Sequence, residues 1–156
     1  MLPLLLAILV TLCDQWTKSL VRQHFDLYEN VVLIEGFFDL RYIQNTGAAW
    51  GLFAERHYWL ALLSVLVLCG MAIWRRAFFR EVLIDRIAMG LLIGGITGNL
   101  IDRIRLQYVV DFLDFHWRGW HFPAFNVADS AICIGVGLLM LAQFLIARAD
   151  YLAQQR

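Results

Sequence analysis

The chain has 156 residues, 61% of them hydrophobic and 17% charged, with 13 basic and 13 acidic side chains that cancel; its mean hydropathy is +0.65. Soluble domains average about 45–50% apolar and about 25% charged residues, so the excess points to one polytopic membrane domain over residues 1–156. The zero net charge gives no support for nucleic-acid binding.

Residues 2–20 form the first predicted span, long enough at about 20 residues per crossing. No basic stretch precedes it and no small-x-small cleavage site follows it, so it reads as a retained helix. Asp14 and Lys18 lie four apart on it and share a face. They read either as an internal ion pair that makes insertion cheaper or as part of a substrate site.

Residues 25–56 form an external segment. Val31-Val32-Leu33-Ile34 and residues 37–43 are rich in β-branched and aromatic side chains around a Glu35-Gly36 turn, which predicts a short hairpin on the membrane surface. Asn45-Thr46-Gly47 reads as a second turn, with Gly47 free to take a positive φ. Trp50, Phe53, Tyr58 and Trp59 suit an interfacial aromatic belt. The segment reads either as a membrane-hugging loop or as a cradle that holds an extended peptide by backbone pairing.

The second span, residues 58–74, has Ser64 as its only polar interior residue and reads as scaffold. A basic connection from Arg75 to Asp85 follows. The third span, residues 82–101, carries Gly94 and Gly98, and Gly95 and Asn99, at i, i+4 spacing. Small residues at this spacing let helices approach closely in lipid. Asn99, Asp102 and Arg103 share a face at i, i+3, i+4. The second external segment, residues 105–125, sets Asp111 between apolar neighbours; Asp114, close to a run of His and Trp, reads as solvated. Pro123 ends any regular element before the fourth span, residues 127–147. Asn126 and Asp129 have the spacing of a helix N-cap and capping box, which does not exclude chemistry at Asp129.

Arginine placement orients the spans. Arg75, Arg76, Arg80 and Arg86 crowd the connection between the second and third spans, and Arg148 and Arg156 follow the fourth. Both termini and the Arg75–Arg86 loop are therefore assigned to the cytoplasm. Alternation of the spans then brings Asp14, Lys18, Asn45, Asn99, Asp102, Arg103, Asp111, Asn126 and Asp129 to one face. Polar groups gathered at one face suit an enzyme or receptor site, whereas conduction needs them through the full depth.

The chemistry follows by elimination. Cys13, Cys69 and Cys133 lie inside apolar runs and read as small buried residues. No CxxC, HExxH or GxSxG motif is present, and the four histidines are scattered, so no metal or cofactor is expected. Lys18 is the only lysine, and neighbouring Ser19 faces away from it on a helix. Carboxylates remain. Asp111 and Asp129, sharing one proton at a low-dielectric surface, could activate water and protonate a leaving amine.

The motifs Asp14-Gln15-x-Thr17-Lys18, Asn45-Thr46-Gly47-Ala48-Ala49, Gly94-Gly95-x-x-Gly98-Asn99-x-x-Asp102-Arg103, Val109-Val110-Asp111-Phe112 and Phe125-Asn126-x-Ala128-Asp129 together resemble the lipoprotein signal peptidase (signal peptidase II) family of bacteria. Each is weak alone; five in order over nearly the whole chain are specific. The resemblance implies an inner-membrane, all-α bundle of four transmembrane helices with a small periplasmic β-cradle between helices 1 and 2. It implies an aspartic endopeptidase that cleaves diacylglyceryl-modified prolipoproteins on the N-terminal side of the lipidated cysteine. The catalytic aspartates would be Asp111 and Asp129. Asp14, Lys18, Asn45, Gly47, Asn99, Asp102, Arg103 and Asn126 would support them or bind substrate. The implied partners are lipid-modified prolipoproteins, the phospholipid bilayer and the cyclic peptide inhibitor globomycin. A proton-coupled carrier using Asp14, Asp102 and Asp129, and a non-catalytic assembly factor, are the readings from other classes.

Overall fold

The computed structural model describes residues 1–47, 56–78 and 82–155. In chain order the elements are α1 (Leu2–His24), β1 (Asn30–Ile34), β2 (Phe38–Asn45), α2 (His57–Phe78), α3 (Leu83–Arg105), β3 (Val109–Trp117), β4 (Trp120–His121) and α4 (Val127–Gln154). All four helices contain stretches long and apolar enough to cross a bilayer, and the chain is a multi-pass membrane protein. Each predicted span starts within one residue of its helix, and each helix runs on a few residues past the predicted end. Polar residues at the bilayer surface lower hydropathy without ending the backbone hydrogen-bond ladder.

Helix α3 is the hub, packing against α1, α2 and α4. Its glycines make that approach possible. A methyl at Gly94 would lie 2.7 Å from Val10 Cβ on α1 and 2.8 Å from the Ala7 carbonyl oxygen. A methyl at Gly95 would collide with the Ala128 carbonyl on α4. The small-residue seam is therefore two-sided, with successive glycines serving different neighbours.

The sheet is larger than the expected hairpin. It is four-stranded and antiparallel in the order β1-β2-β3-β4, with β3 and β4 drawn from the second external segment. Strand β3 was illegible as a half-buried strand because it does not alternate: Val109, Val110, Asp111 and Phe112 are all buried, covered on both faces. Val110 and Phe112 join Val21 of α1 and Tyr42 of β2 in the core that seats the sheet on the bundle. Strand β1 is the outer edge, and its Val31, Val32, Leu33 and Ile34 are all exposed, as suits a strand resting in the apolar edge of a bilayer.

A bulge in β2 decides which face each strand residue meets. Leu40 pairs with Leu113, but Ile43 pairs with Asp111, so Arg41 and Tyr42 together oppose Phe112. A single inserted residue reverses the side-chain phase beyond it. Asn45, paired with Val109, therefore shares a face with Asp111; without the bulge it would point away.

Two expectations need correction. Asp114 is buried, not solvated: it is only 3% exposed and pairs with His121 Nδ1 at 3.0 Å and Arg41 at 3.9 Å. Cys13, Cys69 and Cys133 are exposed, because the outward face of a membrane helix is as apolar as its inner face. The predicted turn after Asn45 is closed by that side chain, whose Oδ1 accepts from Gly47 N–H at 2.9 Å. Tyr58 and Trp59 are exposed at the start of α2, as an interfacial belt requires; Trp50, Phe53 and Arg80 lie outside the described residues.

Candidate active site

The polar residues collect where α1, α3 and α4 meet β2 and β3. Two layers are distinct. The inner layer is an ionic cluster without contact to the main cavity. Lys18 Nζ lies 2.9 Å from Asp14 Oδ2 and 3.0 Å from Asp102 Oδ2, and all three side chains are almost wholly buried. Gln15 bridges the same two carboxylates: its Nε2 lies 2.8 Å from Asp102 Oδ1 and 3.3 Å from Asp14 Oδ2, and 3.2 Å from the Gly98 carbonyl oxygen. Asp14 Oδ1 accepts from Ala128 N–H at 2.9 Å, which ties α1 to the first turn of α4. Asp102 Oδ2 accepts from Val110 N–H at 3.2 Å and fixes the start of β3. The expected Asp14–Lys18 ion pair is thus present, and Asp102 belongs to it.

The outer layer is a cavity of about 360 Å³. Asn45, Gly47, Asn99, Arg103, Asp111 and Asp129 make its polar wall, and Phe122, Pro123, Phe125 and Ile132 are prominent in its apolar wall. Asp111 comes from β3 and Asp129 from the first turn of α4. The capping box predicted at Asn126 is formed: Asn126 Oδ1 accepts from Asp129 N–H at 2.9 Å, and Asp129 Oδ2 accepts from Asn126 N–H at 3.3 Å. Asp129, the third residue of the helix, therefore serves the capping box and the cavity wall at once. Capping aims one Asp129 oxygen at the helix end and leaves the other for Asn99.

Three carboxamides hold the two carboxylates. Asn45 Nδ2 donates to Asp111 Oδ2 at 2.9 Å, and Asn126 Nδ2 donates to Asp111 Oδ1 at 2.8 Å. Asn99 Nδ2 donates to Asp129 Oδ1 at 2.7 Å. Burial pushes the Asp111 carboxyl up to about 7, with the nearby negative charge of Asp129 adding to the rise; the two carboxamides and Lys18 pull the other way. Asp111 can therefore keep its proton near neutral pH. Asp129, at a helix N-terminus whose amides favour an anion, is suited to hold the charge. Arg103 leans over the cavity, with Nη1 3.3 Å from the Asn99 carbonyl and Nη2 3.5 Å from that of Gly47.

Of the ten residues singled out from sequence, six line the cavity, Asn126 braces it, and Asp14, Lys18 and Asp102 stand behind the wall. Sequence reasoning passed over Gln15 and the Phe122–Phe125 wall. Gln15 stood inside a quoted motif, but its neutral side chain gave no signal of its own.

Four helices apolar enough to cross a bilayer and a cavity lined by two carboxylates define a class: a polytopic membrane protein with paired acid–base groups. The sequence model of the family described as signal peptidase (SPase) II matches residues 6–145. A protein named lipoprotein signal peptidase from Syntrophotalea carbinolica is 45% identical over 144 residues, covering 90% of this chain and 89% of its own. One of the same name from Symbiobacterium thermophilum is 42% identical over 148 residues, covering 95% and 97%. A solved bacterial membrane enzyme superposes with a TM-score of 0.84 at 31% identity, covering 91% of this chain and 87% of its own. The chain belongs to the signal peptidase II family.

Proposed function

We propose that this chain is a single-domain aspartic endopeptidase that removes signal peptides from prolipoproteins, with Asp111 and Asp129 as its catalytic pair. The observation that carries the reading is the shared cavity. Both carboxylates line it, one is held near neutral pKa, and each is gripped by carboxamide donors. The relatives named lipoprotein signal peptidase supply the substrate class.

The chemistry follows from the charges. Asp129, ionised, takes a proton from a water in the cavity, and the water oxygen attacks the scissile carbonyl carbon. Asp111, protonated, donates to the carbonyl oxygen; as the resulting diol collapses, Asp129 passes its newly gained proton to the leaving amine and Asp111 takes one back from a diol hydroxyl. The Arg103 guanidinium, close to both carboxylates, offsets the one negative charge that the aspartate pair carries through the step. The apolar wall of Phe122, Pro123, Phe125 and Ile132 suits the acyl part of a diacylglyceryl cysteine, with the scissile bond on its N-terminal side.

Arginine density supports a cytoplasmic placement of both termini. The sheet and cavity then lie at the periplasmic face of the inner membrane. Globomycin, a cyclic peptide, would compete for the same cavity. The test is a gel-shift assay with purified protein and a diacylglyceryl-prolipoprotein, without a proton gradient and with EDTA present. Cleavage that globomycin blocks supports the reading. No cleavage, or cleavage that requires a gradient or an added divalent ion, refutes it.

A further inference from the structure

The three carboxamides on the catalytic pair share a device. An asparagine side chain can flip, presenting either its NH₂ or its carbonyl oxygen, and a carbonyl aimed at a carboxylate repels it. Each asparagine here has its oxygen occupied elsewhere. Asn45 Oδ1 accepts from Gly47 N–H, and Asn126 Oδ1 accepts from Asp129 N–H. Both anchors are local backbone turns. Asn99 Oδ1 has no such turn; it accepts from Lys18 Nζ at 2.9 Å and from Asn126 Nδ2 at 3.3 Å.

This rests on the assignment of Asp111 and Asp129 as the catalytic pair. We infer that Lys18 is a positioning residue: its buried ammonium, in contact with Asn99 Oδ1, fixes the Asn99 carboxamide so that Nδ2 faces Asp129. Lys18 itself lies outside the cavity and reaches the reaction through one amide. Its ammonium is held in turn by Asp14 and Asp102, which gives the ionic cluster a task beyond joining helices. Arg22 and Arg105 border the same cluster from the ends of α1 and α3, and Asp111, Asp129 and Arg103 are the charged groups on the cavity side.

Without Lys18, Asn99 Oδ1 keeps only the 3.3 Å contact from Asn126 Nδ2, which also donates to Asp111 and the Val110 carbonyl, and the carboxamide can turn its oxygen toward Asp129. A carbonyl oxygen there repels the Asp129 carboxylate where an N–H had donated to it, and the loss of the nearby positive charge of Lys18 raises the Asp111 carboxyl further. Both effects move the pH profile of activity upward.

The test is a double-mutant cycle of Lys18→Met and Asn99→Ala, read as kcat, KM and pH profile on a lipidated peptide at matched folded protein. Lys18→Met is expected to lower kcat about tenfold to a hundredfold, the range spanned by a lost hydrogen bond to a charged group. KM should stay near the wild-type value, and the acid limb should move up by about one pH unit. In the Asn99→Ala background, Lys18→Met should add less than about threefold, since the amide it positions is gone. If Lys18→Met yields too little folded protein, Lys18→Met/Asp102→Asn leaves Asp14 as the one buried charge of the cluster and tests the same shift. Additive losses with an unmoved pH profile would overturn the inference and leave Lys18 a helix tie only. Loss of cleavage in wild type, or full activity in Asp129→Asn, would instead overturn the catalytic assignment beneath it.

Discussion

Replacing Gly95 with alanine asks whether α3 and α4 touch backbone to backbone. The added methyl would run into the Ala128 carbonyl oxygen and lie 2.8 Å from Ile132 Cγ1. An isoleucine methyl can rotate aside; a carbonyl in the first turn of a helix cannot move unless the helix does. Overpacking costs about 1–3 kcal/mol, and a backbone obstacle puts Gly95 near the top of that range. Alanine regains about 1 kcal/mol over glycine as a helix former. The net loss is about 2 kcal/mol, which lowers the thermal midpoint of a chain this size by about 4–8 °C. Gly98→Ala should also destabilise, because its methyl would sit 2.5 Å from Asp14 Oδ2, an atom already held by Lys18. The bulkier Gly98→Leu should yield little folded protein. Gly137 on α4 has nothing within 4 Å of an added methyl, so Gly137→Ala should keep or raise the midpoint. Thermal scans in detergent by intrinsic fluorescence, at one scan rate, would measure the series. A wild-type midpoint for Gly95→Ala, or an equal fall for Gly137→Ala, would refute the close-contact reasoning.

The raised Asp111 carboxyl has a stability consequence. It is protonated in the folded chain up to about pH 7 but ionised in the unfolded chain above about pH 4. Its contribution is therefore full at low pH and is lost as pH rises toward 7. The thermal midpoint should fall between pH 5 and pH 8, and fall less in Asp111→Asn; equal slopes would contradict the buried neutral carboxyl. Asp114→Asn should loosen the sheet by weakening the contacts to His121 and Arg41, while the folded fraction keeps activity within about tenfold, an allowance of about 1.4 kcal/mol in barrier. A larger loss per folded molecule would move the catalytic carboxylate to β3's other face. Cysteine labelling from outside intact cells, in a background lacking the native cysteines, should mark Glu29→Cys and spare Arg80→Cys. The reverse pattern would invert the topology.

The helices were legible because hydropathy over about 20 residues is a strong signal, and the polar residues stood out against it. The hairpin of β1 and β2 was legible from β-branched and aromatic runs around Glu35-Gly36. Strand β3 was not, since burial on both faces erased its alternation. The failure at Asp114 has the same root. Judged by its His and Trp neighbours in sequence it looked wet, but pairing with β2 puts Asp39 opposite it and His121 beside it. Asn45 was singled out, yet its reach to Asp111 depends on a bulge between Leu40 and Ile43 that no pattern announces. Asp129 shows the opposite case: the capping and cavity readings competed in sequence, and the geometry satisfies both at once.

The most direct test of the account is the rate of lipidated-peptide cleavage by Asp111→Asn, Asp129→Asn and the double variant, each at matched folded protein. Asparagine keeps the carboxyl shape but cannot pass the proton. Each single change should cost about 10³-fold or more, within the roughly 10²–10⁴ that general acid–base groups contribute. The double variant should be little worse than either, because one loss already breaks the pair. Retained cleavage by Asp129→Asn, with lower stability alone, would reduce that residue to a helix cap and contradict the catalytic pair.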